Sequence, residues 1–248
     1  MVDTASSSQL LRHASRRRRF AAVAALLAVS ANAAHGLDAL TAKPPVEVTD
    51  GRITIGQRTL WLPPGSGRWV YIDHGEIAVS GGLDGNDTTM DDRVVLARVD
   101  HGVFTFGLEL WLLRKDIVRS GWDFGYCDNT ANIYFNQRTR LPSQRDCVTV
   151  RGQVSTVFQQ YLAGAPGALS WLQSQQIRLP DATAKIRFGR AYTNTYGVID
   201  VFIPADRFDS ELATIAWAES MRTALKPLFE HHEDEGRIPP LPQTPAPP

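Results

Sequence analysis

Residues 93–113 constrain the fold more than any other stretch of the chain. Residues 93–99 are rich in β-branched and aliphatic side chains, and residues 103–113 are apolar at every other position. A strand turns alternate side chains to one face, so that face is expected to lie on a core. Asp100-His101-Gly102 separates the two runs, and glycine favours the tight return of a hairpin. The alternating apolar residues are Phe104, Phe106, Leu108, Leu110 and Leu112.

Other short strand signals, separated by turn residues, predict more hairpins. A run at 69–72 is predicted to turn at Asp73-His74-Gly75 and return through 76–79, followed by an acidic loop at 81–92. A last hairpin is predicted over 184–203, turning near Asn194. The remaining strand candidates are 46–48, 52–55, 59–62, 132–135 and 147–150.

Helical spacing of apolar residues appears only in the second half of the chain. It predicts two short middle helices, near 154–164 and 169–176, and a long helix from 211 to about 230. Asp209 or Ser210 is expected to cap the long helix, and Pro227 to bend or end it. The predicted fold class is therefore α+β: an antiparallel sheet of hairpins, two short middle helices, and a long C-terminal helix packed on the sheet.

The first 33 residues have the three parts of a secretory signal peptide. Four arginines at 16–19 precede an uncharged apolar run at 20–29, and Ala31 and Ala33 provide a small-x-small cleavage site. We expect cleavage after Ala33 and a bacterial protein located in the periplasm or secreted. The apolar run is too short to cross a bilayer, and no later stretch is suited to do so, which predicts no transmembrane segment after signal removal.

Beyond residue 33 the chain has 21 basic and 25 acidic residues, a net charge of about −4. A nucleic-acid-binding protein would show a basic surplus or stripe, so no nucleic-acid partner is predicted. The 215 residues suffice for one good core. The predicted organisation is a signal peptide at 1–33, a single α+β domain with one disulfide at 34–236, and a proline-rich disordered tail at 237–248.

The two cysteines of the chain, Cys127 and Cys147, are predicted to form a disulfide. Exported proteins commonly pair an even number of cysteines, and the spacing is not that of a C-x-x-C redox or zinc motif. In the loop-entropy account, closing a loop of this length stabilises a fold by about 3 kcal/mol.

The tripeptide Asp-His-Gly occurs twice and supplies the first candidate site, Asp73 and His74 with Asp100 and His101. If adjacent hairpins brought these residues together, they would suit a metal ion, and one Asp-His pair would suit a general base. Asp and Gly are also ordinary turn residues, which favours a purely structural role. We predict that the tripeptides are turns.

Trp61 and Trp69 supply the second candidate, an aromatic binding surface. They bracket Pro63-Pro64-Gly65, where exposed rings would stack on a sugar face or a peptide. Large aromatic side chains more often pack in a core, so this interpretation competes with a structural one.

The sequence contains no G-x-S-x-G, P-loop or G-x-G-x-x-G pattern. We therefore predict no catalytic residues and no cofactor. The first hypothesis is a non-catalytic envelope protein that binds a partner protein or a cell-wall component. The alternative is an exported hydrolase that uses an Asp-His pair, with or without a metal.

Overall fold

A computed structural model describes residues 36–81, 87–113, 133–141, 144–154, 162, 165–192, 195–229 and 235–241. These residues form two β-sheets and include helices α1 (Pro166–Ser174) and α2 (Glu211–Leu225). The predicted α+β class with an antiparallel sheet is confirmed. The strands are β1 (Leu37–Asp38), β2 (Val46–Val48), β3 (Arg52–Ile55), β4 (Arg58–Trp61), β5 (Arg68–Gly81), β6 (Asp87–Asp100), β7 (Val103–Leu113), β8 (Tyr134–Leu141), β9 (Gln144–Val154), β10 (Thr183–Tyr192), β11 (Thr195–Pro204) and β12 (Glu235–Arg237).

The large sheet is antiparallel throughout, in the order β2-β5-β6-β7-β11-β10-β9-β8. The predicted β6–β7 hairpin is present. Asp100 pairs with Val103, and the two turn residues His101 and Gly102 have φ values of 47° and 74°. Positive φ at both central positions matches the twist of adjoining strands, which explains the sharp return. The β10–β11 hairpin is also present, with Tyr192 paired to Thr195.

Phe106, Leu108, Leu110 and Leu112 lie on one face of the large sheet, within the main apolar cluster. We call this the first face. Phe104 departs from the prediction, because it joins the cluster on the second face. The register shifts between Arg98 and Val99, which leaves Thr105 as an extra residue in β7. Such a bulge interrupts the alternation of side chains, so one residue of the predicted stripe changes face.

Helix α2 covers part of the first face with Trp217, Met221 and Leu225, all buried. Ser210 caps the helix, since its hydroxyl accepts a hydrogen bond from the N–H of Ala213 at 3.2 Å. The helix is shorter than predicted and gives way at residue 226 to a 3₁₀ turn, Lys226–Leu228. Pro227 lacks the N–H that another helical turn requires and restricts the residue before it.

Another part of the first face is covered by a small sheet in the order β1-β3-β4-β12. Ile53, Ile55 and Leu60 are buried against the large sheet. Beyond β12, Ile238 is fully buried, and the carbonyl of Pro240 accepts a hydrogen bond from Trp217 Nε1 at 2.8 Å. Part of the segment assigned above to the tail therefore packs on the domain; residues 242–248 lie outside the described residues.

The second face of the large sheet combines an apolar cluster under α1 with buried charges. Asp200 is fully buried and accepts two hydrogen bonds from Arg187, both 2.6 Å long, and contacts Lys185 Nζ at 2.8 Å. Burial alone would raise the pKa of Asp200, but the two cations outweigh it and hold the pKa below its usual range. On the adjacent strand, burial and the charge of Asp200 raise the pKa of Glu109, which pairs with Arg93 at 2.6 Å.

Several predictions fall outside the described residues: the signal peptide, Cys127 and most of the first middle helix. Cys147 lies fully buried in β9. Within the described part of the chain, no helix is both long and apolar enough to cross a membrane.

Candidate binding site

The two Asp-His-Gly tripeptides occupy different kinds of structure. Asp100-His101-Gly102 forms the predicted turn, and the side chain of His101 is 97% exposed. The predicted turn at Asp73-His74-Gly75 is wrong, because all three residues lie inside β5 and pair with β6. Pairing continues to Gly81 and Asp87, so the strands run through the predicted turn and much of the predicted acidic loop.

The structure does not bring the two tripeptides together. His74 lies opposite Val94, and His101 follows Asp100 at the far end of β6. At 3.3 Å per residue, the separation along the strand is about 20 Å. Among the described residues, no group of three or more His, Cys, Asp or Glu side chains is placed to hold a metal ion.

His74 has a different acidic partner, which the sequence pattern did not indicate. Its Nε2 lies 3.1 Å from Oδ1 of Asp92, a side chain with no exposed surface. The two residues are diagonal neighbours on β5 and β6, close enough for side chains to meet. The side chain of Asp73 accepts a hydrogen bond from the backbone N–H of His74 at 3.0 Å, which adds local support. This arrangement fixes the imidazole while leaving 22% of its side chain exposed.

Replacing His74 with asparagine is expected to lower the free energy of unfolding by about 1–3 kcal/mol, because buried Asp92 loses a hydrogen-bond partner. His101→Asn is the matched control. It should leave the unfolding midpoint unchanged within error, since asparagine accepts the positive φ of this exposed position. Urea unfolding of both variants measures the difference. Equal effects would mean that the His74–Asp92 contact does not stabilise the fold.

Trp61 and Trp69, the predicted aromatic pair, line one cleft of about 650 Å³. Its walls come from the segment after β2, the loop between β4 and β5, and the segment after β12. The volume is within the range of small-molecule and cofactor sites. Other residues that line the cleft include Glu47, Asp50, Pro63, Pro64, Arg68 and Pro240.

Trp69 belongs to the wall of the cleft and not to its accessible surface, because it is only 7% exposed. Its indole Nε1 donates to the carbonyl of Pro63 at 3.3 Å, and its ring meets Phe106 edge-on at 5.2 Å. Arg98 lies over the Trp69 ring at 5.6 Å and donates to the carbonyl of Pro64 at 3.2 Å. These contacts hold the loop between β4 and β5, which contains Pro63 and Pro64 and which we call the proline loop, against the sheet. Burial lowers the pKa of Arg98, with a smaller contribution from Arg207.

The backbone of this loop also requires a glycine. Gly67 has a φ of 86°, and a Cβ there would lie 2.5 Å from the carbonyl oxygen of Val99. A larger residue would clash with backbone that cannot easily move, in a conformation that L-residues avoid. Glycine is therefore the residue that this position of the loop requires.

Trp61 is half-buried and lies in the middle of a row of three side chains. Arg52 of β3 and Arg237 of β12 are its register partners on the two neighbouring strands. Their guanidinium carbons lie over the indole, 5.1 Å and 5.2 Å from its centroid. Because β3 and β12 flank β4 on opposite sides, the cations approach from opposite sides. We call this row the Arg–Trp–Arg ladder.

The ladder changes the interpretation of Trp61. With a guanidinium over each side of the ring, Trp61 does not offer the bare face that stacking on a sugar requires. Its Nε1 donates to Oε2 of Glu235 at 3.3 Å, which orients the ring further. Of the two arginines, Arg237 is exposed and Arg52 is partly exposed. Neither arginine was among the site residues predicted from the sequence.

The mouth of the cleft carries both signs of charge. Arg68 and Glu47 approach to 3.7 Å, and both side chains are about half exposed, at 47% and 51%. An exposed pair of this kind is weak and is readily exchanged for other partners. Asp50 and Arg237 add one charge of each sign.

No protein-family model, curated protein or solved structure matches this chain. The geometry described above is therefore the basis for assigning a function.

Proposed function

We propose that this chain is an exported, non-catalytic envelope protein that binds a partner protein or a cell-wall component in the cleft beside Trp61. The observation that carries the proposal is the half-buried Trp61, held between two guanidinium groups at a cleft of about 650 Å³. The leader-like first 33 residues support export to the periplasm or beyond the cell.

The composition of the site favours binding of a partner. Tryptophan and arginine are the residues most enriched among those that dominate binding energy at protein interfaces. Here Trp61 and the two arginines sit on paired strands, so little ordering is required when a ligand binds.

Export also supports the proposed Cys127–Cys147 disulfide. Cys147 is buried beside Ala191 and Val198 on the second face, in a cluster that a cross-link would reinforce. Thiol labelling of the unfolded, unreduced protein tests the pairing: we expect no reactive cysteine, and two labels per chain would exclude it.

The function is tested by recovering partners from the native envelope fraction with immobilised protein. Trp61→Ala is expected to remove the specifically bound partner, because it removes the surface that orders both guanidinium groups. Trp171→Ala is the matched control, since Trp171 is a partly buried tryptophan under the second face. Circular dichroism establishes that both variants fold. Equal recovery by wild type and Trp61→Ala would contradict the proposal.

An exported hydrolase is the second candidate, and the His74–Asp92 pair is the observation that favours it. A buried carboxylate that orients a partly exposed imidazole is an arrangement suited to a general base. A hydrolytic activity of the purified protein towards ester or amide substrates should then disappear in His74→Gln and persist in Trp61→Ala. The opposite pattern would exclude His74 as the base.

A further inference from the structure

We infer that the Arg–Trp–Arg ladder recognises two carboxylates about 10 Å apart on an extended, proline-containing segment of an acidic partner protein. This inference rests on the proposed binding function and specifies the chemistry of the ligand. It follows from three properties: among the described residues neither arginine has a carboxylate partner, the two arginines have a defined spacing, and the adjacent cleft has suitable walls.

The two guanidinium groups are ordered but not neutralised. Within the described residues, neither Arg52 nor Arg237 forms an ion pair with a carboxylate; each is held by its position over Trp61. Gly36 also packs against the aliphatic part of Arg52. A guanidinium held in place by an aromatic ring keeps its fork of N–H donors, which matches a carboxylate in two parallel hydrogen bonds.

The spacing of the arginines selects the ligand conformation. Arg52 and Arg237 are on strands two positions apart, and neighbouring strands are about 4.8 Å apart, so the groups are separated by about 10 Å. A polyproline II chain has three residues per turn and rises about 3.1 Å per residue, which places residues i and i+3 on one side about 9 Å apart. A β-strand would place same-face residues about 7 or 13 Å apart, a poorer match.

The cleft beside the ladder is suited to the same conformation. Two exposed prolines, Pro64 and Pro240, line it together with half-buried Trp61. Proline-rich ligands dock in grooves lined by aromatic and flat apolar side chains, and they lose little conformational freedom in doing so.

The surrounding carboxylates favour a peptide over a uniformly anionic surface. Glu47 and Asp50 line the cleft, and Glu235 lies beside Trp61. A phosphate polymer or an anionic membrane would bring negative charge to these groups as well as to the arginines. A segment with acidic residues at intervals, separated by proline, avoids that repulsion.

The test uses the full chain, exported and processed by its host, and three synthetic peptides: three repeats of Glu-Pro-Pro, of Gln-Pro-Pro and of Lys-Pro-Pro. Fluorescence anisotropy of labelled peptides measures affinity. We expect the Glu peptide to bind at least tenfold more tightly than the other two, since the Gln and Lys peptides cannot form charge-assisted hydrogen bonds with arginine.

The protein variants provide a second, independent comparison. Arg52→Gln and Arg237→Gln should each weaken binding of the Glu peptide about tenfold. Arg178→Gln makes the same change of charge at an exposed residue that does not line the cleft and should alter affinity less than twofold. Because the peptide comparison uses wild-type protein, it decides the question even if a variant fails to fold.

Three results would overturn the inference. The first is equal affinity for the Glu and Gln peptides. The second is wild-type affinity in both arginine variants. The third is binding to phosphatidylglycerol vesicles that both variants lose, without binding of the Glu peptide, which would identify a lipid surface as the ligand. If the Glu peptide fails to bind while recovery of an envelope partner still depends on Trp61, the inference is wrong and the proposed function stands.

Discussion

Replacing Asp200 with asparagine is expected to lower the free energy of unfolding by about 3–5 kcal/mol, the largest effect of any single charge change described here. The carboxylate is fully buried and neutralises Arg187 and Lys185 at once. Asparagine keeps the shape but removes the negative charge that both cations contact, in a site with little access to water. Urea unfolding at pH 7 measures the loss, with exposed Asp181→Asn as the matched control, expected to unfold like wild type within error.

The same variant has a predicted pH signature. Because the pKa of Asp200 is held below its usual range in the folded protein, its stabilisation is present above the ordinary aspartate pKa of about 4. That stabilisation is lost as the pH falls through the depressed pKa, when the folded state takes up the proton. The difference in the free energy of unfolding between wild type and Asp200→Asn should therefore become smaller below about pH 4. A difference that does not change with pH would mean that packing, and not charge, causes the loss.

Phe106→Ala is expected to cost about 3–5 kcal/mol, as for other fully buried phenylalanines. Phe106 has no exposed surface and lies between Trp69 and Trp217, with ring centroids at 5.2 and 6.4 Å. Truncation leaves a cavity where the large sheet, the proline loop and α2 meet. Phe135→Ala makes the same truncation on edge strand β8, where the ring is 46% exposed, and should cost less than about 1 kcal/mol. Similar losses in both variants would show that Phe106 does not occupy the centre of the core.

The central hairpin could be predicted because its signal is local. Alternating apolar residues and a glycine turn lie within one short stretch, and burial reinforces both. The change of face at Phe104 could not be predicted, because the bulge at Thr105 depends on pairing with Arg98 on the other strand. The turn assigned to Asp73-His74-Gly75 failed for a related reason. Turn residues occur within strands when the partner strand satisfies their backbone groups, and here β6 does so.

The pairing of Arg52 with Trp61 in the Arg–Trp–Arg ladder could have been predicted from the sequence. Ile55 pairs with Arg58 across the two-residue turn Gly56-Gln57, and counting outward from that turn places Arg52 opposite Trp61. The position of Arg237 could not have been predicted in this way, because β12 joins the small sheet from the far end of the chain. No local sequence pattern determines which strand a distant three-residue segment will pair with.

The most direct test of the central claim is photo-crosslinking from inside the cleft in living cells. A photoreactive side chain replaces Thr49, an exposed residue that lines the cleft, and in a second protein it replaces Thr223, an exposed residue of α2. We predict a discrete crosslinked species of the exported protein from position 49 that is absent from position 223 and is lost when Trp61→Ala is added. Absence of a crosslink at position 49, or the same crosslinks at both positions, would contradict the assignment of the cleft as the binding site.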